Sequence, residues 1–537
     1  MRRALLVLVP LAAYASAASS GFVWDDHKAL EQGRLIGSLR HVPALFTHDT
    51  MFNSDGGAFQ ARARVDTYRP LTMTLFFVEH ALWGARPLGY HVVSVLVHLA
   101  CVLMLYRVGR RLKLSEWAAA LGEAVHWING RSDPLCVLFF LIALDAWLAG
   151  RGVACALAML AATLCKELAF VLAPPVLLLL ARRETREPWW RAMWPWAAGG
   201  ALGLALRLNA LGHPAASAGA RHLGYATIRL PLLWLDGLRA LAVPVAEMPP
   251  SLYERYRVTS GAWLAAACIA CALVIALGVT LAIRRRRSLV PWALASFFGA
   301  LAPVALLTYD DGWFGWGRYL YPATPALALA LGEALVDGAL PRLRPSLRQI
   351  AAGAFALAIA LCAAQTFAAG RDWRDDRAFA AALIADHPTS PHGWFELGVV
   401  EDHAGHAERA LELAQKSLEL APRNHRAWSL AAGALMRLGR RADAFEAARR
   451  ALALDAHDAG AEYIQSIALL GERREPEAAA LLLDAIAGDP AQDGPWATLH
   501  QAAVHLGPSS SFVTAARAAL TDPRYAAIAP RALAALQ

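Results

Sequence analysis

Two adjacent carboxylates, Asp25 and Asp26, follow directly after the apolar N-terminal segment of the chain. Arg2 and Arg3 precede that segment, and basic residues before an apolar stretch keep their end in the cytoplasm. We therefore expect the pair to emerge on the opposite face, close to the membrane. Carboxylates are costly near hydrocarbon, so the pair either performs a task there, such as accepting a proton, or lies in a solvated loop behind an anchor. The motif alone leaves both interpretations open.

Charged residues also stand at the ends of later apolar segments, and they mix acids with bases. Those predicted on the same outer face are Arg69, Arg131, Asp133, Lys166, Glu167, Asp310, Asp311 and Arg318. Taken one at a time, each is explained most simply by a side chain that reaches from a membrane end into water. Their convergence on one face would suit a substrate with an anionic head and neutral hydroxyls, because arginine and lysine bind phosphate.

Two histidines, His91 and His98, are seven residues apart and therefore share one face of a helix. We interpret them as a buried structural pair rather than as substrate contacts or metal ligands. The sequence predicts no metal site, and no cofactor is certain. A divalent cation bound at Asp26 remains an alternative.

The composition predicts an all-α membrane protein with a soluble C-terminal part. Hydrophobic residues make up 57% of the 537-residue chain, against about 45–50% in soluble proteins. Apolar runs recur to about residue 369 and then stop, which indicates a polytopic membrane domain at 1–370 and a soluble domain at 371–537. The net charge of +8 is concentrated in basic clusters between these runs, as in cytoplasmic loops. No basic patch interleaved with aromatic residues predicts nucleic-acid binding.

The basic clusters also predict the number of spans. With the N-terminus inside and every cluster in the cytoplasm, the chain crosses the membrane about eleven times, and residues 21–86 form the first outer loop. After a first span that ends before Asp25, the predicted spans are 87–108, 116–129, 134–149, 152–165, 167–181, 192–210, 261–283, 289–308, 319–336 and 349–369. Two apolar segments, 71–83 and 228–243, are shorter than a crossing needs, so we assign them to helices at the outer surface. Ala15-Ser16-Ala17 also fits a cleavage site, although we expect the first helix to be retained.

The soluble part carries an internal repeat of 34 residues. Trp394 and Trp428 are 34 residues apart, Trp496 follows after twice that interval, and Ala410, Ala444 and Ala478 keep the same period. Small residues that let two helices pack closely, at this spacing, are typical of tetratricopeptide repeats. We predict an α-solenoid with repeats near 391–424, 425–458 and 459–492 and a degenerate one at 493–526. Such arrays usually bind proteins or peptides, and self-association or a scaffold role remains open.

Several short motifs resemble one known family and occur in its order along nearly the whole chain. They are Phe22-Val-Trp-Asp-Asp26, Tyr68-Arg-Pro-Leu-Thr72, His91-Val-Val-Ser-Val-Leu-Val-His98, Glu123-Ala-Val-His-Trp-Ile-Asn-Gly-Arg-Ser-Asp133, Cys165-Lys-Glu167, Arg318-Tyr-Leu-Tyr321 and Trp373-Arg374. The chain resembles the transmembrane and tetratricopeptide-repeat-containing O-mannosyltransferases, which are similar to the C-type glycosyltransferases. It departs from that pattern at Gly317, where an acidic residue usually precedes Arg318.

The resemblance implies an integral membrane glycosyltransferase. It would move a mannose-like sugar from a polyprenyl-phosphate donor to a hydroxyl of a protein or glycan acceptor. The base would be in the Asp25–Asp26 pair, and the repeats would bind the acceptor or a partner. Residues implied in donor-phosphate or substrate binding are Arg69, Arg131, Lys166, Glu167 and Arg318. The protein would lie in the cytoplasmic (inner) membrane with its repeats on the outer, periplasmic face.

Two other functions remain open at this stage. The protein could be a membrane-anchored repeat scaffold without catalytic activity, or a transporter of polyprenyl-linked sugars. Charges in the middle of spans would favour transport. Most charges are predicted at span ends, with Asp145 the main exception.

Overall fold

The computed structural model of the chain describes residues 2–31, 33, 35–50, 67–114, 129–182, 187–212, 230–239, 261–303, 316–490 and 492–537. These residues form helices and connecting turns and contain no β-strand, so the all-α prediction is confirmed. The contacts divide the chain into two compact units. We call the first, Met1–Val23 with Val42–His48 and Tyr68–Asp375, the membrane unit. The second, Trp24–His41 with Asp49–Thr67 and Asp376–Gln537, is the repeat unit.

The membrane unit is built from helices of very different length. The described residues of this unit form the α-helices α1 (Arg2–Ala13), α2 (Pro70–Trp83), α3 (Pro87–Arg111), α4 (Ser132–Leu148), α5 (Gly152–Cys165), α6 (Ala169–Leu172), α7 (Trp189–Leu211), α8 (Gly261–Arg284), α9 (Val290–Leu301), α10 (Thr324–Leu331) and α11 (Pro345–Ala369). Residues 230–239 are also helical. Up to residue 375, the 3-10 and π segments among the described residues are Ala15–Ser19, His27–Glu31, Leu39–Phe46, Asn129–Arg131, Pro174–Arg182, Trp316–Ala323, Gly332–Ala339 and Leu340–Arg342.

Four helical stretches among the described residues are long and apolar enough to cross a membrane. They are α3, α8, α11 and the helical run Leu320–Arg342, and shorter apolar helices accompany them. The chain is therefore a multi-pass membrane protein. The count of eleven spans stays a prediction, because the predicted span 116–129 falls almost entirely outside the described residues. The segment 71–83 is helical, as predicted, and belongs to α2. Of the segment 228–243, residues 230–239 are helical and the others lie outside the described residues. The placement of both at the outer surface stays a prediction.

Helices α4 and α5 position the charged residues of the membrane unit. They form an antiparallel hairpin that turns at Gly150, whose φ of +73° favours glycine. The N-terminus of α4 and the C-terminus of α5 therefore lie at the same end. Helix α7 packs closely on α5 through Gly199 and Gly203, because a Cβ at Gly203 would overlap the Thr163 hydroxyl. Small residues four apart allow such close approach between membrane helices.

Asp145 is not a charge in the middle of a span. It lies one turn before the end of α4 and pairs with Arg107, at 3.0 Å, and Arg111, both in the last turns of α3. The interpretation of Asp145 as a mid-span charge is therefore wrong, because α4 ends at Leu148 beside the basic end of α3. This removes the main sequence feature that favoured transport.

The C-terminal part of the repeat unit begins with α12 (Asp376–Asp386), which is followed by helix pairs. The later helices are α13 (Pro391–His403), α14 (Ala407–Leu420), α15 (His425–Arg437), α16 (Arg441–Leu454), α17 (Ala459–Gly471), α18 (Glu475–Gly488), α19 (Asp493–Leu506), α20 (Ser511–Ala519) and α21 (Ala529–Ala535). The first helices of the four pairs begin at intervals of 34 residues. The period of the sequence is thus the period of the helix pairs.

Local hydrogen bonds explain why the repeat has this length. The indole N–H of Trp394 donates to the Pro388 carbonyl at 2.9 Å, and Trp428 and Trp496 repeat the contact with the proline six residues earlier. The turn inside each pair uses a residue with positive φ, and these residues are Gly405, Gly439, Arg473 and Gly507. Left-handed backbone is accessible mainly to glycine, so these glycines set the turn and Arg473 is the exception.

Candidate functional site

The Asp25–Asp26 pair lies in a turn whose two ends meet one carboxylate. The backbone N–H of Trp24 donates to Asp376 Oδ1 at 2.8 Å, and Nε2 of His27 lies 2.9 Å from Asp376 Oδ2. The His27 N–H also donates to the Trp24 carbonyl at 3.3 Å, which closes the turn. We call this arrangement the Asp376 clamp. All four residues of the Trp24–His27 turn belong to the repeat unit, although they are distant from Asp376 in sequence.

The backbone of the turn is strained at Trp24. Its φ of +57° is uncommon for a bulky residue and costs about 1–3 kcal/mol. Such a conformation persists only where the surroundings determine it. Here the Trp24 ring also stacks on Phe379, with ring centroids 6.3 Å apart and planes inclined by 24°. Within the turn, Asp26 is buried at 1% exposure and Asp25 is half-buried, so Asp25 is the more accessible carboxylate.

The clamp is an ion pair at neutral pH. The hydrogen bond that His27 donates to Asp376 raises the pKa of His27 from 6.5 to about 9. Glu31 makes a smaller contribution in the same direction, and burial opposes both by favouring the neutral ring. Burial favours a higher pKa for Asp376, but the hydrogen bonds of His27 and of the Trp24 N–H outweigh it and lower that pKa below 3.8. The stabilisation from His27 is complete below pH 6.5 and is lost as the pH rises through about 9. The stabilisation from Asp376 is present above pH 3.8 and is lost on acidification.

Six charged residues of the membrane unit form three ion pairs, and successive pairs are linked by residues that are close together in the sequence. We call this set the charge chain; in order it is Arg69–Glu167, Lys166–Asp133 and Arg131–Glu79. Glu167 and Lys166 are adjacent in sequence, and Asp133 and Arg131 are two residues apart. Because charges of opposite sign alternate, three cations and three carboxylates compensate one another.

The central pair of the charge chain is completely buried. Lys166 Nζ lies 2.6 Å from both carboxylate oxygens of Asp133, and each side chain is exposed by 1% or less. Asp133 occupies the first turn of α4 and Lys166 caps the C-terminus of α5, so each charge also opposes the helix dipole favourably. Removal of either partner would leave an uncompensated charge in the interior.

Arg131, like Lys166, makes its contacts with buried groups of the fold. It binds both carboxylate oxygens of Glu79 on α2, donates to Ser94 Oγ at 2.9 Å and to the Tyr90 carbonyl, and lies over the Phe76 ring at 5.1 Å. Its side chain is fully buried. Arg131 therefore joins the short segment before α4 to α2 and α3, and its donors are used within the fold.

Arg69 is the accessible end of the charge chain. Its side chain is 17% exposed, its Nη2 lies 3.1 Å from Glu167 Oε1, and the Glu167 side chain is 30% exposed. Arg69 precedes Pro70, the first residue of α2, so the helix start fixes its backbone. The structure thus brings five sequence-predicted charged residues together, namely Arg69, Arg131, Asp133, Lys166 and Glu167. Arg318 lies in the segment Trp316–Ala323 but its side chain, like Asp310 and Asp311 as a whole, lies outside the described residues.

The histidine pair is buried on one face of α3, as predicted. His91 Nε2 donates to the Gly21 carbonyl at 3.1 Å, and His98 Nδ1 lies 3.0 Å from the Tyr321 hydroxyl. His98 also packs edge-on against Tyr14 at 5.0 Å. Their contacts connect α3 to the segments that precede and follow it. Within the described residues, no group of three or more His, Cys, Asp or Glu side chains is arranged to hold a metal ion.

Sequence reasoning missed the roles of Glu79 and Asp376. Glu79 has a recognisable signal, because a carboxylate inside the apolar segment Pro70–Trp83 requires a cationic partner. Asp376 has no such signal. It follows Asp375 in a polar linker, and only the tertiary structure brings it to Trp24 and His27.

No family model matches the chain. Among curated proteins, it is 26% identical over 269 residues to protein O-mannosyl-transferase F38B6.6 of Caenorhabditis elegans, covering 45% of this chain and 38% of that protein. It is 30% identical over 159 residues to protein O-mannosyl-transferase TMTC4 of Homo sapiens, covering 25% and 21%. It is 32% identical over 148 residues to protein O-mannosyl-transferase TMTC2 of Mus musculus, covering 25% and 17%.

The chain is similar to these protein O-mannosyl-transferases over part of its length. The resemblance drawn from the sequence motifs is thereby confirmed. The matched regions span less than two fifths of the relatives' own length, with 38% as the largest of these three shares. Activity, substrates and partners of this chain are therefore matters for proposal.

Proposed function

We propose that this protein is a glycosyltransferase that moves a mannose-like sugar from a polyprenyl-phosphate donor to a hydroxyl of a protein or glycan acceptor. The observation that carries the proposal is the Asp25–Asp26 pair, held in a strained and doubly anchored turn, in a chain whose relatives are named protein O-mannosyl-transferases. Strained residues cluster at functional sites, because their conformation must be maintained at a cost. A solvated loop that merely follows an anchor would not need such a clamp.

The reaction is a single displacement with inversion at the sugar. A carboxylate takes the proton from the acceptor hydroxyl, and the oxygen forms a bond to the anomeric carbon. The bond between that carbon and the phosphate oxygen breaks, and the lipid phosphate leaves with the electron pair. A cation stabilises the phosphate as its charge develops. Asp25 suits the base because it is the more accessible carboxylate, and buried Asp26 suits a supporting contact to the acceptor or a cation.

We assign donor-phosphate binding first to Arg69 and Arg318. Arg69 keeps solvent access at the end of the charge chain, and an arginine can meet a phosphate with two parallel hydrogen bonds. Arg131 and Lys166 already satisfy buried carboxylates, so their role is to hold the segments that carry Arg69 and Glu167. Acceptor or partner binding belongs to the repeats.

We place the reaction on the outer face of the cytoplasmic membrane. Arg342 and Arg344 precede α11 and Arg348 lies in its first turn. Basic clusters remain inside, so α11 leads outward to the repeats. Outside the membrane there is no pool of nucleotide sugars, and a lipid-linked phosphosugar is the suitable donor.

Alkaline phosphatase fused after Gln537 should be active in cells, because it folds only outside the cytoplasm. A second fusion with the phosphatase placed after Arg344, before α11, is the matched control and should be inactive. The measurement is phosphatase activity normalised to the amount of fusion protein. The reverse pattern would remove the outer-face assignment and the lipid-donor argument with it.

Photocrosslinking with a polyprenyl-phosphate mannose analogue should label the wild-type protein. The labelling should be weaker in Arg69→Ala and in Arg318→Ala. Loss of a charge-assisted hydrogen bond costs about 1.5–3 kcal/mol, so the donor concentration for half-labelling should rise about 10- to 100-fold. Arg69→Lys should recover only part of the lost labelling, because lysine lacks the planar guanidinium group that donates two parallel hydrogen bonds.

Arg86→Ala is the matched control for this experiment, because Arg86 is exposed between α2 and α3 and has no assigned role. It should label like the wild type. Equal labelling of all variants would exclude Arg69 and Arg318 from the site. No labelling of the wild type would favour the membrane-anchored scaffold.

A further inference from the structure

We infer that Asp376 is a positioning residue for the Asp25–Asp26 pair, so that the repeat unit holds the carboxylate pair in addition to any partner it binds. This inference rests on the proposed function, because it assigns a structural support to the proposed base. It gives the first helix of the repeat unit, α12, a part in the reaction. Asp376 itself touches the ends of the turn and not the reacting atoms.

The geometry of the clamp fixes the turn at two points. One oxygen of Asp376 accepts the Trp24 N–H and the other meets the His27 ring, on opposite sides of the pair in sequence. A single contact would let the turn swing about the contact. Two contacts to one rigid carboxylate restrict both the position and the rotation of the intervening residues.

Helix α12 presents a second group on the same face. Phe379 follows Asp376 by three residues, which places both on one side of the helix, and its ring stacks on Trp24. Phe379 is almost fully buried at 1% exposure. Two further titratable groups influence the clamp: Glu31 hydrogen-bonds to His27, and His403, at the end of α13, lies near Asp376. Both lie within the repeat unit, so the support is internal to that unit.

Catalysis by a base depends strongly on its placement. A displacement of about 1 Å can reduce a rate by about 100-fold. We therefore expect Asp376→Ala to lower kcat for sugar transfer by about 10- to 100-fold while the donor KM changes less than threefold. Asp376→Asn retains an acceptor for the Trp24 N–H and loses the charge opposite His27, so its kcat should be intermediate.

The assay uses the full-length protein in detergent or liposomes, with polyprenyl-phosphate mannose carrying a tritium-labelled sugar as the donor. The acceptor is the outer-face protein fraction of cells that lack the gene. Asp386→Ala is the matched control, because Asp386 is an exposed aspartate at the opposite end of α12. Its kcat should equal that of the wild type within twofold.

A second measurement reports on the Asp376 clamp and does not depend on transferase activity. Exchange of the His27 ring C2 hydrogen, read by mass spectrometry against pH, reports the pKa of that side chain. The pKa should be about 9 in the wild type and in Asp386→Ala, and should fall towards 6.5 in Asp376→Asn. Backbone amide exchange of residues 22–31 should accelerate at least tenfold in Asp376→Ala, while that of α16 stays unchanged and shows that the repeat unit is folded.

The outcomes separate this inference from the proposed function. If Asp25→Asn and Asp26→Asn abolish transfer but Asp376→Ala keeps its kcat within twofold, the inference is overturned and the proposed function stands. If both of those asparagine variants keep full activity, the proposed function fails, whatever the exchange data show. Loss of activity in Asp376→Asn with an unchanged His27 pKa would also overturn the inference, because Asp376 would then act elsewhere.

Discussion

Asp25→Asn is expected to lower the rate of sugar transfer by about 10²–10⁴, the usual contribution of a positioned general base. Asparagine keeps the size of the side chain and removes its ability to accept the proton. The neighbouring Trp24 N–H and His27 contacts do not involve the Asp25 side chain, so the turn should stay in place. The measurement is incorporation of labelled sugar by the purified variant, with amide exchange of residues 22–31 as the test of folding.

Asp26→Asn distinguishes the two carboxylates of the pair. Because Asp26 is buried, we expect its loss to reduce activity through the geometry of the site. Asp443→Asn, an exposed aspartate in the first turn of α16, is the control and should be fully active. Full activity of both Asp25→Asn and Asp26→Asn would refute the assignment of the base to this pair. Loss in only one would identify the base.

Lys166→Ala is expected to destabilise the membrane unit by about 3–5 kcal/mol, because it leaves the Asp133 carboxylate buried without its partner. The double variant Lys166→Met with Asp133→Leu should recover most of this loss, since neither charge then remains in the interior. The free energy of unfolding in mixed micelles titrated with dodecyl sulfate is the quantity to compare. The control Lys113→Ala, at an exposed position after α3, should change the free energy of unfolding by about 0.5 kcal/mol or less.

The double variant also separates structure from donor binding at Lys166. If Lys166 only supports the fold, the refolded double variant should be photolabelled by the donor analogue as strongly as the wild type. A stable double variant without labelling would instead make Lys166 a phosphate contact. Instability of the double variant equal to that of Lys166→Ala would contradict the buried-charge explanation, because no unpaired charge would be left to account for it.

Features of this protein that depend on local periodicity could be predicted from the amino-acid sequence alone. Apolar runs predict membrane helices because each run must satisfy its own backbone hydrogen bonds in lipid. The 34-residue period predicts the helix pairs, because the residues that shape each pair are local to one repeat. These are the tryptophan that contacts a proline, the glycine in the turn and the small packing residues. The ordered short motifs also predicted the similarity to protein O-mannosyl-transferases. Each of these signals is contained in one segment or in the order of segments.

The pairing of the charged residues, in contrast, depends on the three-dimensional fold. Arg131 and Lys166 have the same appearance in the sequence as Arg69, yet they are fully buried against Glu79 and Asp133 while Arg69 stays accessible. Asp376 reaches Trp24 and His27 across about 350 residues of sequence. The strength of an ion pair depends on burial and on the distance to its partner, and neither quantity follows from local spacing. For that reason the residue types of the site were predictable, whereas their division into accessible and structural groups was not.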